Sequence, residues 1–527
     1  MTARAARAYP FLIALIPILN YAANNPDQYR MWDLAFLLTI TVAACGVVYA
    51  IASLAARGRA APGLPAFVTL LYVVWFFGYR RAAGVLTGEA AHPPHVLLVP
   101  LGLLLCAALV WWIHRRPALL DGLGRFLSLM AALMVAYSAF QVGRGWVRGK
   151  EMIAESELAR ELAQPIEGPA TAPGPRRDVY VIVLDEYANS DVLRERFDFD
   201  NRPFEDSLRS LGFHVPRMVR SNYFHTLLSL PSLMNAAHLI TLEREVGAKA
   251  KHPRLPNYLL AHSRVAGYLQ ERGYEYVFFP SEWWYSTAAS PPANLVFRAF
   301  GGFDLMRSMS AGELERTVRG ITILSYFDRS HHWEAEHTRR TLNGVARLAG
   351  TGTAPRFVFA HLIKPHDPYV FDRDCRVLPR QKEDDHVGPY LEQVQCVNRL
   401  LLATVHRILA QSTVPPIIIL QGDHGTKLLH AIGYRTPEEV PPTAARERFG
   451  AFGAYYLPEG GEEAFGDTVT VVNVMGNVLR HYFGADLPRA GDEQYISPAD
   501  FPFNFLRVDA GWLARDLPSG SEARSGG

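Results

Sequence analysis

Hydrophobic patterning divides the chain in two. Up to about residue 140 it is a series of continuous apolar runs, at 8–23, 34–56, 64–79, 96–113 and 119–140, separated by short polar stretches. The second and fourth runs are long enough to cross a bilayer, which takes roughly 20 residues. The first, third and fifth are shorter or interrupted, with Pro10, Pro17, Pro65 and Gly124 in or beside them. A cluster of such runs is hard to bury in a soluble protein, so the pattern predicts a transmembrane region of about five helices over residues 1–141. A cleavable signal peptide accounts only for the first run, which lacks a clear small-residue cleavage site.

Basic residues set the expected orientation. Arg4 and Arg7 precede the first run, Arg57 and Arg59 follow the second, and His114, Arg115, Arg116 and Arg125 lie between the fourth and fifth. These segments are expected to share the cytoplasmic side. The mixed-charge loop Asn24–Arg30 then faces outward, while Arg80 and Arg81, after the third run, run against the pattern. Five crossings with the N-terminus inside place everything after about residue 142 outside; an even count reverses this.

Residues 142–177 read as a linker. Lys150 to Leu162 is charged and helix-prone, with Met152, Ile153, Leu158 and Leu162 at rough helical spacing. It is expected either to lie on the membrane surface or to be a solvated helix. Pro165 to Pro175 is rich in Pro, Gly, Ala and Thr and reads as a hinge.

From Asp178 the pattern changes to short β-branched apolar runs, as in strands buried on both faces. Val179–Leu184, Tyr274–Phe279, Arg356–His361 and Ile417–Leu420 are the clearest. Helical stretches intervene at Phe204–Leu211, Arg339–Leu348 and Tyr390–Leu409. Buried strands alternating with helices predict an α/β domain with a largely parallel central sheet over residues 178–510, followed by a polar tail, 511–527. No repeat of solenoid period is visible.

Composition adds little beyond this division. The hydrophobic fraction of 49% is an average over two unlike halves, and a net charge of +2 gives no footprint for nucleic acid. Cys45 and Cys106 lie inside apolar runs and read as packing residues. Cys375 and Cys396 lie in the soluble half, where they pair in an oxidising compartment or remain two free thiols.

In parallel sheets ligands bind beyond the carboxyl ends of the strands, so the residues just after each strand carry the candidate chemistry. Asp185 and Glu186 follow the first strand; either acid is placed to bind a cation, or to serve as a turn carboxylate. Asp423 and His424 follow the run Ile417–Leu420 in Gln421-Gly-Asp-His-Gly425. The flanking glycines permit close backbone approach, and a carboxylate beside an imidazole suits zinc or manganese, with magnesium or calcium as alternatives. His361, Lys364 and His366 follow a third strand and could surround an anion. Ser221 to Asn235 is rich in hydroxyls and reads as a loop entering a helix. A hydroxyl at such a helix start sits in a positive field that stabilises its alkoxide and a phosphate, which nominates Thr226 and Ser229; the plainer alternative is a capped helix.

The order of these groups resembles the alkaline phosphatase superfamily, in particular the sulfatase-like branch of lipoteichoic acid synthases and phosphoethanolamine transferases. Thr226-Leu-Leu-Ser-Leu-Pro231 matches that branch's Thr-x-x-Ser-x-Pro motif, Asp423-His424 its Asp-His pair, and His366-Asp367-Pro368 resembles its His-Gly-Pro segment. Related sequences often have Leu-Asp-Gly-Tyr where this chain has Leu184-Asp-Glu-Tyr187, which favours Asp185 over Glu186 as the metal acid. The Cys-x-Pro-x-Arg segment of ordinary sulfatases is absent from the sequence.

The resemblance implies a membrane-anchored enzyme with one divalent metal on Asp185, Asp423, His424 and the Thr226 oxygen. Thr226 would form a covalent phospho-threonine, with His366 and His361 holding phosphoryl oxygens or protonating the leaving group. It further implies a phosphoryl-group transferase acting on a phospholipid head group or an envelope glycan. The expected location is the inner (plasma) membrane, multi-pass, with the catalytic domain periplasmic or extracellular. A phosphatase, phosphodiesterase or sulfatase-like hydrolase of the same fold is one alternative, and a non-enzymatic membrane ligand-binding protein is another.

Overall fold

A computed structural model describes residues 7–26, 29, 31–56, 61–87, 95–281, 290–297, 313–327, 330–378, 386–429 and 433–513. Arg4, Arg30, Arg57, Arg59 and the tail beyond Leu513 therefore lie outside the described residues. The chain divides into two compact units, one of residues 1–151 with 303–329, the other of 152–302 with 330–527.

Among the described residues, the N-terminal part of the chain forms five helices, α1 (Tyr9–Asn24), α2 (Met31–Ala55), α3 (Leu64–Thr87), α4 (His95–His114) and α5 (Pro117–Glu155), all but the last four residues of α5 in the first unit. Three of them, α2, α4 and α5, are long and apolar enough to cross a membrane, with mean hydropathies of 2.4, 2.6 and 1.6. Large apolar side chains such as Val47, Leu101 and Leu104 project outward from α2 and α4, a surface suited to lipid rather than water.

Two expectations change here. The fifth run, read as 119–140 with Gly124 interrupting it, lies in one helix, because helix propagation absorbs a glycine at a cost of about 1 kcal/mol; α5 continues for 39 residues, into the segment expected as linker. Arg80 and Arg81 lie within α3 rather than in a loop after it. Nothing in the apolar pattern foretold that the helix Glu313–Gly320 would join this unit. Its Leu314 and Val318 pack with Ile18, Ala22, Leu34 and Val142, and Arg80 Nη1 donates to the Gly320 carbonyl at 2.7 Å.

In the second unit, the C-terminal part of the segment expected as a surface or solvated helix packs one side on protein. Helix α6 (Glu157–Leu162) is capped by Ser156, whose Oγ accepts from Ala159 N. Leu158, Ala159 and Leu162 are buried against Tyr223, Leu228, Leu242 and Leu259. Helical spacing puts these apolar residues on one stripe, and protein rather than lipid covers it. The Pro-rich stretch that follows is pinned rather than free to hinge. Glu167 bridges Asp486, and Arg272 donates to the carbonyls of Gly168 and Pro169.

The strands are β1 (Val179–Leu184), β2 (Phe213–His214), β3 (Met218–Arg220), β4 (Glu275–Phe279), β5 (Leu295–Val296), β6 (Arg356–Leu362), β7 (Ile417–Gly422), β8 (Gly453–Tyr456), β9 (Thr468–Thr470), β10 (Gln494–Ile496) and β11 (Leu506–Val508). Seven form the central sheet in the order β2-β8-β7-β1-β6-β4-β5. The five from β7 to β5 are parallel, and β8 and β2 add an antiparallel edge. This is the α/β domain with a largely parallel sheet that the apolar runs predicted.

Alternation along β1 explains why its run is continuously apolar. Val179, Val181 and Val183 face one layer, with Leu230, Leu233 and Met234 of the later helix Thr226–Asn235 and with Val474, Met475 and Val478. Tyr180, Ile182 and Leu184 face the other, with Leu342, Val345, Val394, Val397 and Leu401. Both faces are dry, and each such side chain contributes roughly 1.5–3 kcal/mol of burial. Register then sets the site: Leu184 pairs with Leu362 on one side and with Gly422 on the other. The three central strands end level, so the residues that follow them emerge together.

Cys375 and Cys396 form a disulfide, with Cα atoms 5.0 Å apart. Cys45 is buried, whereas Cys106 is half-buried.

Candidate active site

The level strand ends bring Asp185 and Asp423 side by side. Asp185 N donates to Leu362 O, and Asp423 N to Leu184 O, which extends the ladder one step past each strand. Strand alternation turns Asp185 toward the layer of Val181 and Val183, the layer covered by the helix Thr226–Asn235. That helix begins at the site. Its N-cap is His225, with extended backbone and no side-chain capping bond.

Thr226 is thus the first helical residue rather than a capping residue. Its Oγ1 lies 3.0 Å from His424 Nε2 and 3.4 Å from Asp185 Oδ1. Ser229, the other hydroxyl the sequence nominated, is turned away. Its Oγ bonds Ser221 Oγ and the Tyr223 carbonyl.

Asp423 and His424 are held by a tight backbone contact. A Cβ on Gly425 would sit 2.0 Å from Glu447 O and 2.7 Å from Gly450 O, and one on Gly422 would sit 2.5 Å from Tyr187 O. Only glycine fits at either place. Asp423 Oδ1 accepts from the backbone N–H groups of Glu186 and His424. His424 Nδ1 lies 3.0 Å from the Gly425 carbonyl; a carbonyl only accepts, so Nδ1 carries the proton and Nε2 keeps its lone pair toward Thr226.

One oxygen of each aspartate, Asp185 Oδ2 and Asp423 Oδ2, is buried and accepts no hydrogen bond. Burial, then the charge of Asp423, pushes Asp185 up to about 8. Burial likewise pushes Asp423 up to about 7. His424 lies well below the ordinary histidine range through burial and then Arg448. Asp185, Asp423 and His424 offer ligand atoms within 4.8 Å of one another. Two crowded carboxylates with open lone pairs and a neutral imidazole with a free Nε2 make a donor set that fits a divalent cation.

Glu186 takes a different direction. Its backbone is left-handed, φ 58°, and its Oε1 receives Arg448 Nη1 at 2.6 Å and Lys427 Nζ at 3.1 Å. His366 Nε2 lies 3.8 Å from the same oxygen. Burial raises the Glu186 carboxyl, but His366, Arg448 and Lys427 outweigh it and hold the group well below the carboxylate range. Glu186, His366 and Asp367 also approach closely enough to hold an ion, but Arg448 and Lys427 already place positive charge there and oppose a further cation.

The two histidines after β6 separate. His361 is fully buried, 4.0 Å behind Asp185 Oδ2, and burial, then His366, lowers it to about 3. His366 sits at the mouth, 12% exposed, with Nε2 3.3 Å from Lys427 Nζ. Lys364, the third group expected around an anion, instead pairs with Glu334 at 3.1 Å in the interior.

Sequence reasoning missed Lys427, Arg448 and His225. Lys427 lies three residues past His424 and was within reach of a motif reading. Arg448 had no local signal; its Nη2 lies 3.4 Å from His424 Nε2 across a gap of 24 residues. Beside these groups opens a small recess lined by residues including Phe224, His225, Lys427, Tyr434, Arg448 and Ser497.

An acid, a hydroxyl and an Asp-His pair thus meet at the carboxyl ends of a parallel sheet. The family model described as Sulfatase matches residues 196–461, half of the chain, and the chain belongs to that family. It is a sulfatase-like hydrolase or transferase with a membrane region. No curated protein matches the sequence.

Similar solved structures include the C-terminal periplasmic domain of EcEptC from Escherichia coli, at 11% identity, covering 68% of this chain and 98% of that one, TM-score 0.43. The same domain in complex with zinc has 11% identity, 65% and 96% coverage, and a TM-score of 0.42. The integral membrane protein lipooligosaccharide phosphoethanolamine transferase A from Neisseria meningitidis has 13% identity, 91% and 95% coverage, and a TM-score of 0.39.

Proposed function

We propose that the protein is a metal-dependent phosphoryl-group transferase that works through a covalent phospho-threonine on Thr226. The observation that carries this reading is the place of Thr226 Oγ1, at a helix start and within 3.4 Å of both Asp185 and His424. A hydroxyl there is surrounded by the donor set for a cation, with the helix N-terminus adding a positive field.

In this reading Asp185, Asp423, His424 and the Thr226 oxygen hold one divalent ion, zinc or manganese suiting the mixed O and N donors best. The ion's chemistry when bound is that of a Lewis acid, lowering the hydroxyl's pKa and offsetting charge on phosphoryl oxygens. Thr226 Oγ gives up its proton to solvent and forms a bond to phosphorus as the ester P–O bond breaks, and the leaving oxygen takes a proton from solvent at the mouth. His366 and Lys427, side by side at the mouth, are the groups placed to hold phosphoryl oxygens. His361 lies fully buried, 4.0 Å behind Asp185 Oδ2, away from the mouth where His366 sits. An acceptor hydroxyl, or water in the hydrolase alternative, then releases the group from Thr226.

A phospholipid head group or envelope glycan is the substrate we favour, because the chain carries its own membrane region. We place the catalytic unit outside the cytoplasm, in a multi-pass protein of the inner (plasma) membrane. The Cys375–Cys396 disulfide supports an oxidising compartment. The test is incubation of the full-length protein with labelled phospholipid, with and without glycan acceptor, followed by mass spectrometry of Thr226. Label on Thr226 that moves to glycan supports the transferase; release only to water supports the hydrolase; no modification of Thr226 under turnover ends the covalent reading.

A further inference from the structure

We infer that Glu186 is a specificity-determining residue: it sets the charge of the anion subsite so that a monoanionic ester is preferred over a dianionic one. The inference rests on the phosphoryl-transfer reading above and deepens it.

Two cationic side chains and a histidine, from separate segments, converge on one oxygen. Arg448 Nη1 and Lys427 Nζ lie 2.6 and 3.1 Å from Glu186 Oε1, and His366 Nε2 lies 3.8 Å away. The cluster borders the nucleophile, since the other amino group of Arg448 lies 3.4 Å from His424 Nε2, itself 3.0 Å from Thr226 Oγ1. These are the groups that would meet the non-reacting oxygens of a bound ester.

Glu186 is an unexpected residue at this place. A φ of 58° is easy for glycine and strained for other residues, and the side chain is only 2% exposed. A buried carboxylate on a strained turn beside an anion subsite works against anion binding unless its charge is useful. Charge counting shows the use. Arg448 and Lys427 bring two positive charges and Glu186 removes one, while His366, whose Nδ1 donates to the Asp367 carbonyl and whose Nε2 accepts from Lys427, adds none. Asp185 and Asp423 cancel a divalent ion between them. What remains is a single positive charge facing the ester, which balances a diester monoanion. A monoester dianion is left with one charge uncompensated in a poorly solvated site, and specificity follows from that difference.

The test compares full-length wild type with Glu186→Gln and Glu186→Asp. The first readout is kcat/KM for p-nitrophenyl phosphate, a monoester, against methyl p-nitrophenyl phosphate, a diester with the same leaving group. Glu186→Gln should raise the monoester-to-diester ratio by about tenfold or more, and Glu186→Asp should keep the wild-type ratio. The second readout is calorimetric binding of inorganic phosphate against dimethyl phosphate at about pH 8, where inorganic phosphate is mainly a dianion. Glu186→Gln should strengthen phosphate relative to dimethyl phosphate by a similar factor.

The binding readout needs no turnover, so it decides the role of Glu186 even if the covalent Thr226 reading fails. An unchanged preference in both readouts, or an equal fall for both ligands, overturns the inference. Should Glu186→Gln not fold, Glu186→Gly, which suits the left-handed turn, carries the same comparison with the same two outcomes.

Discussion

Thr226 Oγ1 and His424 Nε2 lie 3.0 Å apart although 198 residues separate them in the chain. One stands at the first turn of a helix over the sheet and the other just past β7. Their meeting depends on the even register of β1, β6 and β7, and on Gly425 letting the loop after β7 press against Glu447.

Removal of the Thr226 hydroxyl should therefore act on chemistry and hardly on folding. Thr226→Ala is expected to abolish turnover of a phosphodiester while the melting behaviour changes by no more than about 1 kcal/mol, the scale of a lost helix-end hydrogen bond. Thr226→Ser keeps the oxygen and should retain part of the activity. Full turnover in Thr226→Ala would falsify the covalent role.

Metal and pH should be linked. Asp423→Ala and His424→Ala each remove a proposed ligand and should lose both bound metal and activity, read by elemental analysis of the purified protein. In the metal-free protein, Asp185 and Asp423 have folded pKa values raised to about 8 and about 7. The folded state then holds protons that the unfolded chain has released, so stability falls as pH rises through that interval. The depressed values of His225 and His361, about 4 and about 3, act with the opposite sign, but their effect is complete by about pH 6.5, the ordinary histidine value. From about pH 6.5 to about pH 8 the metal-free protein should lose melting temperature, and a bound divalent ion should remove that slope. A metal-free protein whose stability rises over this range would contradict the assignment.

Gly425→Ala tests the backbone contact. The new Cβ would lie 2.0 Å from Glu447 O, so the loop carrying His424 must shift, at a cost of about 1–3 kcal/mol as in overpacked cores. Metal affinity should fall with it. Gly433→Ala, with nothing within 4 Å of the new Cβ, serves as the control and should leave both measurements unchanged.

The compartment can be read in cells. A C-terminal alkaline phosphatase reporter should be active and a green fluorescent reporter dark. Non-reducing peptide mapping should recover Cys375 linked to Cys396. Replacing both cysteines by serine opens a loop of 21 residues in sequence separation and should cost roughly 3 kcal/mol on the chain-entropy account. An inactive reporter together with two free thiols would place the domain in the cytoplasm.

Much of the fold was legible because a parallel strand is buried on both faces and must be apolar throughout. Val179–Leu184 and Ile417–Leu420 could thus be read as interior strands from composition alone, and the polar residues after them stood out. The helices over the sheet were longer than their apolar stripes suggested, as with Ser330–Leu348, because polar first turns carry no periodic signal. The full length of α5 and the burial of α6 were hidden for a related reason: a helix reads the same whether lipid, water or protein covers its apolar stripe.

The sequence by itself determined the kinds of group at the site, since Asp185, Thr226, His366, Asp423 and His424 each follow a strand or open a helix where local pattern is strong. Tertiary structure alone decided how they divide the work. Strand parity turns Asp185 toward Thr226, while a left-handed turn sends Glu186 toward Arg448 and Lys427. Those partners come from segments 241 and 262 residues further along the chain. Contacts of that range leave no trace in local spacing, because they depend on register and close backbone packing among elements that meet only when the sheet is complete.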